Sequence, residues 1–313
     1  MIALNARAAA RPELGGVERW ARELETRLEA RVLRPPAALS HRAGHLWEQG
    51  LLPVLARGAD ALVNPANLAP LAGRRNVVVI HDAAPLREPA WYSGTYVRWQ
   101  RFVLPRVARG ALRVVTVSAF SRDELRELLG VDAAVVPGGV DHDRFVPGAP
   151  GADRPYVLTV GSQTARKNLG ALAETARRLA AQGVELLAVG GERPQFTGEG
   201  ALPARSLGHV PDADLPGLYA GALAFVLPSV YEGFGLPCLE AMACGTPVVA
   251  ADAAALPETC GDGALLVDPH DQAAIADAVL AAIGDDELRG RGLRRAAEFS
   301  WERTATELTA LLP

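Results

Sequence analysis

An alternation of two patterns restricts the fold of this chain more than any other feature. Short apolar runs recur at Val77–Ile80, Val114–Val117, Val135–Val136, Tyr156–Val160, Leu186–Val189, Leu223–Leu227, Val248–Ala250 and Leu265–Val267. Runs this short, without polar alternation, are what strands buried on both faces need. Between many of them lie segments with helical spacing. Val17, Trp20, Ala21, Leu24 and Leu28 form one apolar stripe within Val17–Leu28. Asp123–Leu129, Leu169–Ala181, Pro237–Ala243, Gln272–Ile283 and Trp301–Leu312 also read as helices. Strand–helix alternation predicts an α/β chain built on doubly wound parallel sheets.

With 313 residues the chain can hold two domains with cores of their own. The best linker is Asp141–Pro155, DHDRFVPGAPGADRP, rich in Pro, Gly and charge, with a fresh strand after it. Two Rossmann-like domains of similar size are expected, residues 1–150 and 151–299, with a ligand cleft between them.

Composition removes several function classes. A net charge of −4 gives no support to nucleic-acid binding. Cys238, Cys244 and Cys260 form no CxxC pair and no zinc pattern. The opening residues MIALNARAAARPELGG lack an apolar signal core, and no run approaches the ~18 apolar residues of a membrane span. A cytoplasmic location is the expectation. The dinucleotide fingerprint, the P-loop, the GxSxG elbow and HExxH are absent. No metal and no cofactor are expected.

The segment 223–240, LAFVLPSVYEGFGLPCLE, carries the chemistry. A buried strand ends at Leu227, Gly233 and Gly235 loosen the loop, and Pro237 opens a helix. Glu232 therefore sits on the loop and Glu240 in the helix. The amides of Gly233, Phe234, Gly235 and Leu236, with the positive end of the helix dipole, suit a phosphate. Carboxylates suit hydroxyls, because each accepts several hydrogen bonds. Phosphate donors beside hydroxyl-binding acids describe a sugar-nucleotide site.

PSVYEGFGLPCLEAMACGTPVVA resembles the E-x7-E signature of retaining GT-B glycosyltransferases of family 4. Further segments resemble the same family in the same order: Gly15-Gly16-Val-Glu-Arg, VVVIHDAAPLREPAWYS, TVSAFSRDEL, VVPGGVD, YVLTVGSQTARKNL and LPETCGDGALLVDP. The resemblance covers nearly the whole chain and points to bacterial polysaccharide mannosyltransferases. It implies a GT-B fold with an acceptor-binding first domain and a donor-binding second domain. A final helix, 300–313, would pack back on the first domain. It also implies metal-independent transfer of a hexose with retention, by front-face substitution. The product would be a polysaccharide or glycoconjugate.

Residue by residue, the resemblance puts Glu232 near the donor sugar with the amides of Gly233, Phe234, Gly235 and Leu236. Glu240 would hold the ribose hydroxyls. Arg166 and Lys167 would hold the diphosphate, with Ser162 standing where many members have Arg. The backbone at Gly208-His209-Val210 would read the base. GDP-mannose is the favoured donor, with UDP-hexoses and deoxysugar nucleotides as alternatives. The acceptor would be a glycan or a lipid-linked sugar.

Other residues carry readings of their own. His81 ends an apolar strand, where doubly wound folds place functional groups, and the resemblance adds a hydrogen bond to the donor sugar. Asp82 orients it or caps the next turn. Gly15 and Gly16 either allow close approach to the diphosphate or are an ordinary loop. Of 32 basic residues, Lys167 is the one lysine, so a site needing a compact point charge is one reason for its presence. His41, His45, His142 and His270 read as surface groups. Arg98, Arg101, Arg106, Arg109 and Arg113 alternate with Trp99, Phe102, Val103 and Leu104. That is either a solvated helix face or a peripheral contact with an anionic membrane at its inner face. Two rival functions share the fold: a sugar-nucleotide 2-epimerase and a non-catalytic sugar-nucleotide-binding module.

Overall fold

The computed structural model describes residues 1–11, 15–36, 39, 44–73, 75–148, 155–191 and 202–313. Residues 149–154 of the expected linker and His41 lie outside them. The chain divides into two units: Met1–Arg87, Gly94–Gly139 and Trp301–Pro313 form the first, and Glu88–Ser93 with Val140–Ser300 form the second. The divisions thus fall at 139/140 and 300/301, with a short excursion at 88–93.

The first unit is a six-stranded parallel sheet in the order β2-β1-β3-β4-β5-β6. Its strands are β1 (Ile2–Asn5), β2 (Ala30–Leu33), β3 (Ala61–Asn64), β4 (Asn76–Val79), β5 (Arg113–Thr116) and β6 (Ala134–Val135). Val78, Ile80 and Val114 pack against Val103, Leu104 and Val107 of the helix Gly94–Gly110, and against Leu125 of the helix Ala119–Leu129. Ser118 caps the latter through a 3.0 Å bond from the Ser121 amide, and Gly130 ends it at φ +67°. The last helix, Trp301–Thr309, lies against Gly16–Arg27, with the Trp20 and Trp301 rings edge to face at 6.4 Å. Both indoles are buried. Each removes about 200 Å² from water, worth up to ~5 kcal/mol.

The second unit is also a six-stranded parallel sheet, in the order β12-β11-β10-β7-β8-β9. Here the strands are β7 (Tyr156–Val160), β8 (Glu185–Val189), β9 (Arg205–Gly208), β10 (Ala224–Leu227), β11 (Val248–Ala251) and β12 (Ala264–Val267). Val157, Ala224, Val226 and Val249 bury against Leu172, Leu179, Ile275 and Val279. Each sheet reverses its winding once, between β1 and β3 in the first unit and between β7 and β10 in the second. The crevices beyond the carboxyl ends of those strand pairs are where such sheets bind ligands.

Four strands lie outside the apolar runs of the sequence: β1, β2, β3 and β9. β2 and β9 are edge strands, where solvent on one side relaxes the demand for an apolar run, and Arg31 and Arg205 are exposed. β1 and β3 each spend their last position on a buried Asn. The helix Asp286–Ala296 has few apolar residues and is anchored by Leu288, Gly292 and Ala296 alone.

Candidate active site

Chain topology brings the end of β7 beside the end of β10. After β7 the chain runs through Gly161 into a tight 3₁₀ turn, Ala165–Lys167. Asn168 ends that turn at φ +54°, a conformation Asn tolerates. Its Nδ2 donates to the carbonyls of Pro228 (3.1 Å) and Pro269 (2.8 Å), pinning the turn to the end of β10. The Val230 amide donates to the Arg166 carbonyl at 2.9 Å, so the two loops share backbone bonds. The Lys167 stem crosses Gly161 so closely that a Cβ there would lie 2.9 Å from Lys167 Cε and 3.2 Å from Nζ.

Glu232 stands at the meeting point. Lys167 Nζ donates to its Oε1 at 2.5 Å, and Arg166 donates to its Oε2 at 3.1 Å and to the Tyr231 carbonyl at 3.0 Å. The side chains of Lys167 and Glu232 are 7% and 8% exposed and that of Arg166 is 15% exposed, so the cluster is shielded from water. Burial disfavours the Glu232 carboxylate, but the charges of Lys167 and Arg166 outweigh it and hold the carboxyl at about 2. Burial presses Lys167 downward, with Arg166 adding and Glu232 opposing. Two cations thus face one carboxylate.

The loop then passes Gly233 and Phe234 to Gly235, at φ +108°, where a Cβ would lie 2.7 Å from the Leu256 side chain. Thr259 Oγ1 donates to the Phe234 carbonyl at 2.6 Å and Phe299 packs on the Phe234 ring. Those contacts fix the loop from behind. The helix Leu236–Ala243 comes next, with Pro237 in its first turn and no side-chain cap at Gly235. Glu240 is buried and accepts from the Tyr219 hydroxyl at 3.0 Å. Tyr219 and Asn168 are participants the sequence did not reveal; Asn168, polar and directly after Lys167, carried the turn signal that could have marked it.

His209 is exposed and Val210 half-buried just beyond β9, whose last residue, Gly208, accepts from the Gly190 amide at 2.8 Å. They line an open groove of about 1220 Å³ that also touches Tyr156, Leu187 and Leu218 and none of Arg166, Lys167, Glu232 or Glu240. The groove is therefore separate from the charged cluster at the strand ends.

The first unit holds the other residues singled out by sequence. Gly15 and Gly16 start the helix Gly16–Arg27, and the Gly15 amide donates to Glu18 Oε2 at 3.1 Å. His81 lies two residues beyond β4, buried, with Nε2 2.7 Å from the Pro65 carbonyl and Trp20 edge-on at 5.6 Å. A carbonyl can only accept, so Nε2 carries the proton there. Burial pushes the His81 pKa down, so the ring is neutral at pH 7 with Nδ1 as its acceptor. Asp82 accepts from the Ala84 amide at 3.1 Å, which makes it a turn cap. Among the described residues, no group of three His, Cys, Asp or Glu side chains is arranged to hold a metal ion.

Comparisons with known proteins bear on the family and the fold. The family described as "Glycosyl transferases group 1" matches residues 154–285, and "Glycosyltransferase Family 4" matches residues 54–144. The O-antigen chain mannosyltransferase B of Escherichia coli is 35% identical over 263 residues, 74% of this chain and 68% of that one. The MMP alpha-(1->4)-mannosyltransferase of Mycolicibacterium hassiacum is 36% identical over 244 residues, 71% of this chain and 59% of that one. Among solved structures, a sucrose-phosphate synthase from Thermosynechococcus elongatus superposes with a TM-score of 0.77 at 22% identity, covering 99% of this chain and 97% of that chain. The Anabaena HepE structure in complex with UDP and glucose gives 0.74 at 19% identity, covering 99% and 98%.

Proposed function

We propose that this chain, which belongs to the group 1 glycosyltransferases of family 4, transfers mannose from GDP-mannose to a glycan or lipid-linked acceptor. Its fold is GT-B and its class is that of the retaining hexosyltransferases. One observation carries the reading of the site: Lys167 and Arg166 converge on Glu232 at the winding reversal between β7 and β10. Mannose is favoured because two of the relatives, at 35% and 36% identity over 74% and 71% of this chain, are named as mannosyltransferases.

In this reading the diphosphate lies against Lys167, Arg166 and the amides of Gly233–Leu236. The cations stabilise negative charge as the bond from the anomeric carbon to the phosphate oxygen breaks. That oxygen takes the proton of the attacking acceptor hydroxyl, so the chain needs no strong base and acts by positioning and electrostatics. Glu240 is assigned to the ribose hydroxyls and the backbone at Val210 to the base. His81, and Gly15 with Gly16, are assigned to the donor on family resemblance.

A thermal-shift screen of GDP, UDP and dTDP sugars tests the donor, since a ligand of the folded state raises stability by mass action. GDP-mannose should give the largest shift; a larger one from a UDP-sugar would replace it. Product analysis separates transfer from the 2-epimerase alternative: a new glycosidic bond with the anomeric configuration kept is the expected outcome.

A lipid-linked acceptor is supported by the surface of the first unit. Arg98, Arg101, Arg106 and Arg109 are exposed along Gly94–Gly110, with Phe102 at 49%, and residues 94–113 contain no acid. His45 packs on Trp99 at 5.5 Å, joining this helix to the segment 44–55, where Leu46, Leu51, Val54 and Leu55 are exposed. No described helix is long and apolar enough to cross a membrane. Co-sedimentation with vesicles should therefore rise with anionic lipid content, and binding indifferent to it would remove this part of the reading.

A further inference from the structure

The donor site holds an anion of its own. Glu232 occupies both cations, with Oε1 2.5 Å from Lys167 Nζ and Oε2 3.1 Å from the Arg166 guanidinium, inside a cluster whose side chains are at most 15% exposed. A diphosphate bound by Lys167 and Arg166 needs the same N–H donors. It cannot simply add to them. Lys167 has little room to reach elsewhere, because its stem is laid over Gly161 and the turn carrying it is fixed by Asn168 to Pro228 and Pro269. Glu232 is equally held at its backbone, where its carbonyl accepts from the Ala255 amide and the neighbouring Tyr231 carbonyl accepts from Arg166. Rotation of the Glu232 side chain is then the way for the two cations to be released to a ligand.

We propose that Glu232 is an internal counter-anion that the donor's diphosphate displaces, so that the site discriminates between a sugar-loaded nucleotide and the spent nucleoside diphosphate. This rests on the assignment of Lys167 and Arg166 to the diphosphate. A displaced carboxylate in a shielded site needs new hydrogen-bond donors. An intact nucleotide-sugar brings them as sugar hydroxyls; a nucleoside diphosphate does not. Binding of the intact donor exchanges one set of partners for another. Binding of the diphosphate alone leaves Glu232 charged beside a second anion and without the two cations that balance it, which disfavours it. After transfer the sugar leaves, Glu232 returns to Lys167 and Arg166, and the diphosphate is expelled. The two cations against one carboxylate fit this role: one cation's charge is left over, so a doubly charged ligand can compete with Glu232 for the pair.

The expected sign is unusual. Removing the charge of a residue in the donor site should tighten, not weaken, the diphosphate. Glu232→Gln keeps the size and an acceptor oxygen for Lys167 while removing the competing charge. Calorimetric titration of wild type, Glu232→Gln, Lys167→Met and the double variant Glu232→Gln/Lys167→Met with three diphosphate probes, GDP, UDP and inorganic pyrophosphate, and with GDP-mannose and UDP-glucose as intact donors, tests it. The diphosphate that binds wild type should bind Glu232→Gln about 10-fold tighter or more, a change of ~1.4 kcal/mol. The gain for the matching nucleotide-sugar should be smaller, and the double variant should lose the gain. Melting curves taken with the same proteins keep the test valid: Glu232→Gln should melt lower without ligand and show the larger upward shift with diphosphate. Equal or weaker diphosphate binding by a folded Glu232→Gln, with wild-type binding still dependent on Lys167, overturns the exchange and leaves the donor site standing. If none of the three probes binds wild type or variant, the donor-site assignment fails and the exchange fails with it.

Discussion

The two sheets place a buried ion pair at the same topological position, and they use it differently. Beyond β1 and β3, Arg7 Nε lies 3.2 Å from Glu48 Oε1, with side chains 5% and 2% exposed. Asn5 Nδ2 donates to Glu48 (3.0 Å) and to Asn64 (3.1 Å), Asn64 donates to Asn76 (3.2 Å), and Asn76 donates to the Pro70 and Gly73 carbonyls. One arginine meets one carboxylate, His45 Nδ1 lies 3.6 Å from the other carboxylate oxygen, and amides close the network around them. Beyond β7 and β10, two cations meet one carboxylate, and a glycine loop takes the place of amide side chains. On the donor-site reading proposed above, a pair of opposite charges at a winding reversal is not in itself a site. Excess charge of one sign, held next to backbone that a ligand can approach, is what separates the second crevice from the first.

The comparison breaks most readily at Arg7. Removing one partner of a buried pair costs about 3–5 kcal/mol, because the other charge stays buried alone. Arg7→Met should lower the denaturation midpoint accordingly, while folded protein still binds the nucleotide. Arg7→Met/Glu48→Leu, which removes both charges, should recover most of the loss. A loss of nucleotide affinity at unchanged stability would mean that the first crevice is a ligand site after all.

Lys167 probes the other side. Lys167→Ala should lower transfer by about 100- to 1000-fold, or ~2.7–4 kcal/mol, if it stabilises the leaving diphosphate. Lys167→Arg should fall between, because the planar guanidinium cannot follow the path over Gly161 that the lysine stem takes. Steady-state transfer by variants of unchanged melting temperature is the measurement. Wild-type rates in Lys167→Ala would make the second crevice as closed a network as the first.

The second crevice was largely legible in the sequence and the first was not. β7 and β10 are continuous apolar runs, and Gly233, Gly235 and Pro237 punctuate the segment after β10, so strand, loop and helix could be read in order. The lone lysine advertised itself against 31 arginines. The first crevice is built from strands of four residues that end in Asn5 and Asn64, and its acid, Glu48, sits in a π-helical turn, Trp47–Leu51. Neither feature has a periodicity to read. What no local pattern could supply in either crevice was pairing across distance: Asn168 to Pro269, Tyr219 to Glu240, Arg7 to Glu48. Those contacts depend on strand order, which the sequence implied only as a class of fold.

Glu240 sharpens the contrast within the second unit. Lys167 and Arg166 are both turned to Glu232, while Glu240 accepts from the phenol of Tyr219. A carboxylate that accepts from a neutral phenol can also accept from ribose hydroxyls without first being displaced. Glu240→Ala should therefore weaken nucleotide and nucleotide-sugar alike, by about 1.5–3 kcal/mol, the worth of hydrogen bonds to a charged acceptor. Equal affinity in wild type and variant would remove Glu240 from the donor site.

The smallest effect belongs to Tyr219. Its hydroxyl donates to Glu240 Oε2 at 3.0 Å, while its carbonyl accepts from Thr246 Oγ1 at 2.6 Å. Its ring is packed edge-on by Phe145 at 6.0 Å and Phe225 at 5.5 Å, so Phe can replace it without repacking. Tyr219→Phe removes one donor and leaves the ring in place. The expected cost is about 0.5–1.5 kcal/mol in stability. If the phenol positions Glu240 for ribose, the variant should also raise KM for the donor a few-fold at constant kcat, since binding of the nucleotide is the same in ground and transition states. A change in stability alone would make Tyr219 a structural neighbour of Glu240. A drop in kcat at constant KM would mean that Glu240 acts on the reacting bond rather than on the ribose.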